Sequence, residues 1–173
     1  MASIFGHGLV AYTTAKVIDS NTSKLVVFLA IGSAILPDID VLAFRFGIDY
    51  IHPFGHRGFT HSIVFALVWS GLLSMIFGKK RKLVVMTILF LSTLSHGLLD
   101  AITTGGKGVG FFIPFDNSRF FFPLRVIKVS PIGIEKFFSE WGVNVIVSEL
   151  KYIAVPCGII LTLLLLLKKS KTD

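Results

Sequence analysis

Cysteine and charge are both scarce in this sequence, and each shortage limits what the protein can be. Its one cysteine, Cys157, excludes an internal disulfide framework and a cysteine-based zinc site. Because Cys157 lies inside an apolar run, we interpret it as a small core residue. Charged residues make up 16% of the chain, whereas soluble domains average about 25%. With 53% hydrophobic residues and a mean hydropathy of +0.80, the sequence predicts an integral membrane protein in the lipid bilayer.

The positive charge of the chain is not distributed as in nucleic-acid-binding proteins. The net charge is +7, and much of it lies in Lys79–Lys82 and Lys168–Lys171. Each cluster adjoins a hydrophobic run, as charges that set membrane topology do. We therefore expect no nucleic acid as a partner. Residues Met1 to Gly6 lack a basic region and a cleavage site, so no removable signal peptide is expected.

Long apolar runs predict an all-α fold, a polytopic membrane helix bundle. The length of 173 residues favours one domain, 1–173. Four runs have about the 17–25 residues that a helix needs to cross the hydrocarbon. A fifth, less apolar segment, Ile4–Ile18, predicts a short embedded helix, with an amphipathic surface helix as the alternative. The four clear spans are Leu25–Phe46, Ser62–Gly78, Leu83–Thr103 and Leu150–Leu167.

Residues 104–149 predict an extramembrane or interfacial loop that covers the site described below. This stretch is rich in glycine, proline and phenylalanine, and Asp116-Asn117-Ser118 indicates the turn of a short hairpin. Ile134–Trp141 predicts a short amphipathic helix with Phe137, Phe138 and Trp141 on one side. These aromatic residues suit a membrane interface. The segment is therefore expected to be either a lid that grips lipid or a loop folded over the mouth of the bundle.

Charge also predicts the orientation. Both lysine clusters should be cytoplasmic, which places the C-terminus inside. The first span then ends outside near Asp38 and Asp40, the second begins outside near His61, and the third ends outside at His96 and Asp100. Three polar clusters from separate parts of the chain are thus expected at one outer face. Ionisable residues at such places are costly and favour a functional site.

The last of these clusters is His96-Gly97-Leu98-Leu99-Asp100. His96 and Asp100 are four residues apart, so on a helix they share one face. An unpaired carboxylate at mid-membrane costs roughly 2.5–3.5 kcal/mol, and a bound cation would remove this cost. The pair therefore predicts a two-ligand arm of a metal site. A buried histidine–aspartate hydrogen bond without metal is the alternative.

The first cluster, Pro37-Asp38-Ile39-Asp40, begins with a proline that disrupts the helix. In an unwound, strand-like segment, residues two apart point the same way, so Asp38 and Asp40 are expected to bind or bridge metal together. They are also candidates for a general base. A helix stop followed by polar cap residues is the alternative.

The middle cluster is His56-Arg57-Gly58-Phe59-Thr60-His61. Thr60 predicts the N-cap of the second span, with His61 in its first turn and both histidines turned inward. Arg57 stays protonated and cannot bind metal, but its fork matches phosphate or carboxylate, so it predicts a catalytic, substrate-binding contact. His52 precedes Pro53 in a loop and is interpreted as structural. Ser62 lacks a nucleophile-elbow context, which argues against a serine hydrolase.

These three blocks, in this order, resemble the signature of the membrane-bound metal-dependent hydrolase family. Its members include the YdjM-type, LexA-regulated bacterial inner-membrane proteins, and the likeness spans residues 4 to 125 with an early histidine, here His7. The ligand pattern is also similar to that of zinc-dependent phospholipases C, which use a helical His-x-x-x-Asp arm. The resemblance implies a metal hydrolase that acts near lipid in the prokaryotic cytoplasmic (inner) membrane.

The sequence therefore predicts hydrolysis of a phosphoester or similar ester in a lipid-like or phosphorylated small substrate. One or two divalent ions, zinc with manganese or iron as alternatives, would activate water. Arg57, Arg119 and Arg125 would neutralise the substrate anion. A divalent-metal transporter or a scaffold with a structural metal is the alternative, although a transporter should carry its ionisable residues along mid-span. The predicted metal ligands are His7, Asp38, Asp40, His56, His61, His96 and Asp100.

Overall fold

The computed structural model describes residues 1–131 and 139–170, and within them it is a bundle of five helices. Short 3-10 segments, Leu36–Phe46, Phe59–His61 and Lys79–Arg81, adjoin three of them. Apart from two isolated bridges, the described residues contain no β-structure, so the all-α prediction is confirmed. The helices are α1 (Ile4–Ile18), α2 (Lys24–Ile35), α3 (Ile63–Phe77), α4 (Lys82–Ala101) and α5 (Glu140–Lys169), the last with a π-helical turn at Leu150–Ala154.

Serine residues cap the N-termini of three of the helices. Ser3, Ser23 and Ser62 each accept a hydrogen bond from the backbone N–H three residues on, at 3.2, 3.3 and 3.0 Å. Thr60 is therefore not the N-cap of α3, and that prediction was wrong. His61 lies before the helix, in the 3-10 turn, because Ser62 next to the first helical residue takes the capping position.

In the part of the chain that the structure describes, three helices are long and apolar enough to cross a membrane, namely Lys24–Phe46, Lys79–Ala101 and Glu140–Lys169. The predicted second span exists as α3 but has only 15 residues, because Ser62 and Gly78 cap it instead of extending it. The bounds of α1 agree with the prediction. α5 begins at Glu140, whereas the predicted span began at Leu150. The prediction was too short because the polar residues in the first turns of α5 lower the hydropathy of that segment.

Small residues let the helices pack closely around one core. Ala15 of α1 and Ala30 of α2 are fully buried against Ile88 and Leu89 of α4. α5 joins this bundle through α1, where Ile153 and Cys157 belong to a second buried cluster. The interpretation of Cys157 as a core residue is thus confirmed.

The two ends of the bundle differ in chemistry. At one end, Arg81 pairs with Asp19 at 2.7 Å and the Lys168 ammonium donates to the Asn21 side chain at 2.9 Å. At the other end lie the N-termini of α1, α3 and α5 and the C-terminus of α4. This end also holds the three polar clusters, so we call it the polar end.

A loop closes the polar end. Val109 and Phe120 exchange two backbone hydrogen bonds, of 2.9 and 3.0 Å, and the Ser118 N–H donates to the Asp116 carboxylate at 2.8 Å. The predicted hairpin is therefore present, and Val109 and Phe120 form its antiparallel bridge. Of the predicted loop 104–149, the described residues 104–131 form this loop, whereas Glu140 begins α5, where Trp141 donates to the Val129 carbonyl at 2.9 Å. The predictions for Phe137 and Phe138 lie outside the described residues.

Candidate metal centre

Four side chains from three parts of the chain meet at the polar end. Asp38, His61, His96 and Asp100 each offer one ligand atom, and these four atoms lie within 4.8 Å of one another. His61, His96 and Asp100 are almost inaccessible to solvent, and Asp38 is nearly buried. We call this group the four-ligand cluster. The helix, the 3-10 segment and the loop turn that carry it are brought together by the packing of α2, α3 and α4.

The facing atoms of the cluster lack hydrogen bonds. Asp38 Oδ1, His61 Nε2, His96 Nε2 and Asp100 Oδ2 are buried and have no hydrogen-bond partner among the described residues. His96 Nε2 lies 3.3 Å from Asp38 Oδ1, and His61 Nε2 lies 3.7 Å from Asp100 Oδ2. Asp100 Oδ2 has an ionic partner, Arg57 Nε at 2.9 Å. Since buried polar groups are nearly always hydrogen-bonded, the four atoms mark a candidate site for a bound cation.

The backbone separates the two aspartates of the first cluster. Leu36–Phe46 is a 3-10 helix and not an extended segment, so the strand-like prediction was wrong. At three residues per turn, residues two apart point in different directions. Asp38 therefore faces His96, whereas Asp40 faces the loop that contains His56.

Asp40 organises the loop around the cluster. Its Oδ1 lies 2.6 Å from His56 Nδ1, and its Oδ2 accepts from the Arg57 N–H at 2.9 Å and the Thr60 hydroxyl at 2.8 Å. Oδ2 also lies 3.2 Å from His61 Nδ1. Asp40 and His56 were both predicted as metal ligands. They lie beside the four-ligand cluster, where Asp40 contacts His61 and His56 contacts Asp40.

Hydrogen bonds to the far nitrogens orient the two histidines of the cluster. His96 Nδ1 lies 2.6 Å from the Ala34 carbonyl, which only accepts, so Nδ1 is the donor and Nε2 is the nitrogen that faces the cluster. His61 Nδ1 lies 3.1 Å from the Thr60 hydroxyl and 3.2 Å from Asp40 Oδ2, so its Nε2 also faces the cluster. Histidine ligands of metals are usually held in this way by carbonyls and carboxylates.

Charge around His61 changes its protonation. Burial lowers the pKa of this imidazole, but the carboxylates of Asp100 and Asp40 outweigh burial and raise the pKa to about 9. A metal ion at Nε2 would have to displace this proton, because only a neutral imidazole binds metal.

Arg57 is buried and its guanidinium is surrounded by protein. Nε lies 2.9 Å from Asp100 Oδ2, and the terminal nitrogens donate to the Gly105 carbonyl at 2.9 Å and the Thr103 hydroxyl at 3.2 Å. Its backbone is left-handed, with φ of 61°, which costs a residue other than glycine about 1 kcal/mol or more. Arg57 thus holds Asp100 in place, and its predicted contact with substrate stays a prediction.

The other two predicted substrate arginines differ in exposure. Arg119 donates to backbone carbonyls of the 50–57 loop, those of His52 at 3.0 Å and Ile51 at 3.2 Å among them, and it also donates to the Arg57 carbonyl. It therefore fastens this loop to the hairpin. Arg125 is exposed, with its guanidinium 4.7 Å from the centre of the Phe121 ring.

His7 lies against the cluster from the α1 side. It is fully buried, neither ring nitrogen has a hydrogen-bond partner among the described residues, and Nε2 lies 3.6 Å from Asp100 Oδ1. Asp100 thus faces the four-ligand cluster with one oxygen and His7 with the other. His52 is exposed in its loop, where Nδ1 accepts from the Phe54 N–H at 3.1 Å.

Sequence reasoning missed a second polar contact of this region. Glu149 of α5 is buried, and its carboxylate accepts from both the N–H and the hydroxyl of Ser3. The available signal was a carboxylate at the edge of an apolar run. It was overlooked because the predicted span began one residue later, at Leu150.

The fold and the site together define a polytopic helical membrane protein with a buried histidine–aspartate cluster at one end. The chain belongs to the YdjM inner membrane protein family, whose family model matches residues 1–171. It is 49% identical over 133 residues to the inner membrane protein YbcI of Escherichia coli (strain K12), covering 75% of this chain and 76% of that protein. No solved structure matches the chain. The family and the apolar helices make this an integral inner membrane protein.

Proposed function

We propose that this protein is a metal-dependent hydrolase that cleaves a phosphoester or other ester bond in a lipid-like substrate. One observation carries the proposal. Four buried ligand atoms that have no hydrogen-bond partner within the described part of the chain lie within 4.8 Å of one another in a membrane protein. Two carboxylates and two imidazoles form a donor set that suits zinc, manganese or non-haem iron.

The residues fit such an ion in number and orientation. Asp38, His61, His96 and Asp100 would hold it, with His7 beside Asp100 as a further donor. When bound, a divalent ion supplies Lewis acidity and activates water at neutral pH. The chain keeps its donors fixed, since Arg57 holds Asp100, Asp40 holds His61 and the Ala34 carbonyl holds His96.

Other residues would act on the substrate. Asp38 is the most exposed member of the cluster, with 11% of its side chain accessible, so we propose it as the residue nearest to an entering substrate. Arg125 is exposed and would attract the anionic group of the substrate. Asp40 has its oxygens occupied by donors from four residues, so its contribution is to position His61 and not to take up a proton.

A structural metal site is the second candidate function. Four buried protein donors are the number found in closed, structural zinc sites, whereas catalytic zinc usually has three and an open position. Manganese and iron accept more ligands and would keep a position open with all four donors bound. The identity of the metal thus bears directly on the choice between the two functions.

The first experiment measures metal in protein purified in detergent, comparing the wild type with Asp100→Asn and with Asp116→Asn as the matched control. Asp116 is an exposed carboxylate of the hairpin. We expect stoichiometric metal in the wild type and the control and its loss in Asp100→Asn. A wild type without bound metal, even after reconstitution with zinc or manganese, would end the proposal.

The second experiment separates the enzyme from the scaffold. Bis(p-nitrophenyl) phosphate and fluorescent phospholipids in vesicles serve as probes, with and without added metal. We expect turnover that disappears in Asp38→Asn while the thermal unfolding temperature changes little. A metal-loaded protein that hydrolyses no ester probe and unfolds when Asp38 is replaced favours the structural site.

A further inference from the structure

A groove between α1 and α5 runs alongside the four-ligand cluster. It has a volume of about 260 Å³, below the 300–1,000 Å³ of typical small-molecule pockets. From Ile146 to Ala154 it follows α5 for about 12 Å at the helical rise of 1.5 Å per residue. Its walls are largely apolar, with side chains of Phe5, Leu9, Ile146, Leu150, Ile153 and Ala154.

The carboxylate of Glu149 does not make the groove polar. Glu149 lines it, but both carboxylate oxygens accept hydrogen bonds from Ser3, one from the N–H and one from the hydroxyl. The carboxylate is thus satisfied by Ser3, and the groove continues past it to Ile146, one turn nearer the start of α5. Gly6 permits this approach, because a Cβ there would lie 3.0 Å from Ile153 Cδ1 and 3.2 Å from Glu149 Oε2.

The groove lies next to the candidate metal centre at the N-terminus of α1. Ser3 lines it, and the preceding residue, Ala2, donates its N–H to Asp100 Oδ1 at 3.1 Å. Since Lys168 at the far end of α5 contacts Asn21 at the opposite end of the bundle, the groove leads from the polar end toward the middle of the membrane.

The groove opens toward hydrocarbon. α5 is long and apolar enough to span the membrane, and only 11% of its most apolar 18-residue stretch is buried in the bundle. The Phe5 side chain at the groove is 77% exposed. An apolar channel in this position faces the acyl chains of lipids, so water has no polar group to bind there.

We propose that this groove holds one acyl chain of a membrane lipid and presents the polar end of that lipid to the four-ligand cluster. The proposal rests on the proposed function and names its substrate class, a lipid with at least one long acyl chain. The narrow volume admits a single chain, and the Glu149 carboxylate leaves the groove apolar because Ser3 satisfies both of its oxygens.

The test uses full-length protein in vesicles of phosphatidylethanolamine that contain phosphatidylglycerol with a diazirine on its acyl chain. After irradiation, mass spectrometry locates the crosslinks. We expect them to concentrate on groove residues of α1 and α5, Leu9 and Ile146 among them. Ala154→Trp fills the groove and should abolish these crosslinks. Val155→Trp, on the adjoining lipid-facing surface of the same helix, is the matched control and should retain them.

Labelling spread evenly over α5, or unchanged in Ala154→Trp, overturns the proposal. Leu9→Trp repeats the test from α1 in case Ala154→Trp unfolds, as judged by its unfolding temperature. Crosslinking needs neither metal nor turnover, so repeating it in Asp100→Asn separates the two ideas. Localised crosslinks in a protein that never binds metal would support the acyl-chain site and refute the hydrolase. Metal-dependent turnover that survives Ala154→Trp without localised crosslinks would support the hydrolase and refute the acyl-chain site.

Discussion

The imidazole ring of His7 lies flat against that of His96, with centroids 3.8 Å apart and planes 11° from parallel. This stack connects α1 to α4 directly at the candidate metal centre. His7 therefore has two separate contributions, the packing of its ring against His96 and the approach of Nε2 to Asp100 Oδ1 at 3.6 Å.

Substitution of His7 separates these contributions. His7→Phe retains a flat ring for the stack but removes the nitrogens. We expect the unfolding temperature to change little and metal affinity to fall about 10–100-fold, the range for loss of a residue that supports a ligand. Affinity is measured by competition with a chromogenic chelator. Tyr12→Phe on the same helix is the control, and unchanged affinity in His7→Phe would exclude His7 from the metal centre.

Asp40 should act on metal binding without being a ligand. Asp40→Asn replaces an oxygen that faces hydrogen-bond donors with an amide, so His61 loses its acceptor at Nδ1. We expect weaker metal binding by about 10–100-fold with the stoichiometry unchanged at saturating metal. Asp49→Asn, at an exposed position shortly after the 3-10 helix that carries Asp40, is the control. Loss of stoichiometry at saturation would instead make Asp40 a direct ligand.

Arg57 should be required for stability. Arg57→Met removes the buried ionic partner of the Asp100 carboxylate and a hydrogen-bond donor to the Gly105 carbonyl. Removal of one partner from a buried ion pair typically costs about 3–5 kcal/mol. We expect a large fall in the unfolding temperature in detergent, and Arg57→Lys should recover only part of it because an ammonium lacks the fork. Arg125→Ala, at an exposed site, should leave it nearly unchanged, and equal effects of Arg125→Ala and Arg57→Met would contradict this role.

Metal binding should strengthen as the pH rises. The pKa of His61 is raised from its ordinary 6.5 to about 9, so at neutral pH metal and proton compete for Nε2. Below pH 9 each ion bound releases this proton, and we expect affinity to increase by about tenfold per pH unit between 6.5 and 9. The measurement is a titration in metal buffers at several pH values. His52→Gln should show the same slope, and affinity independent of pH would refute the competition.

Orientation is testable with single cysteines. In a Cys157→Ser background, Asn117→Cys places a thiol at the exposed hairpin turn and Lys80→Cys places one at the basic turn between α3 and α4. The positive-inside rule predicts that a membrane-impermeant maleimide labels the first in intact spheroplasts and the second only after permeabilisation. The reverse pattern would place the candidate site on the cytoplasmic face.

The parts of the fold that depend on periodic apolar residues were predictable from sequence. α1 was found with its bounds, and the partnership of His96 with Asp100 follows from helical spacing alone. The convergence of the polar residues at one end follows from the alternation of span direction, which depends only on counting the spans. The start of α5 was missed, since Glu140, Asn144, Ser148 and Glu149 interrupt its apolar residues and make the segment resemble a loop in sequence.

The roles of individual polar residues were harder to predict. Pro37 indicated a break in the helix, but the sequence did not distinguish a 3-10 segment from an extended one, and this choice sends Asp38 and Asp40 in different directions. The enclosed positions of Arg57 and Arg119 depend on carbonyls of Gly105 and of the 50–57 loop. Backbone carbonyls leave no trace in the sequence, so such contacts require the folded chain.

The shortness of α3 has a consequence for the surrounding bilayer. Its 15 residues extend about 22 Å, whereas the hydrocarbon of a typical membrane is about 30 Å thick. A helix this short produces hydrophobic mismatch, which lipids relieve by thinning locally. Headgroups beside α3 would then sit deeper than elsewhere in the leaflet, so the ester bonds of neighbouring lipids are brought down toward the depth at which the histidines and aspartates lie.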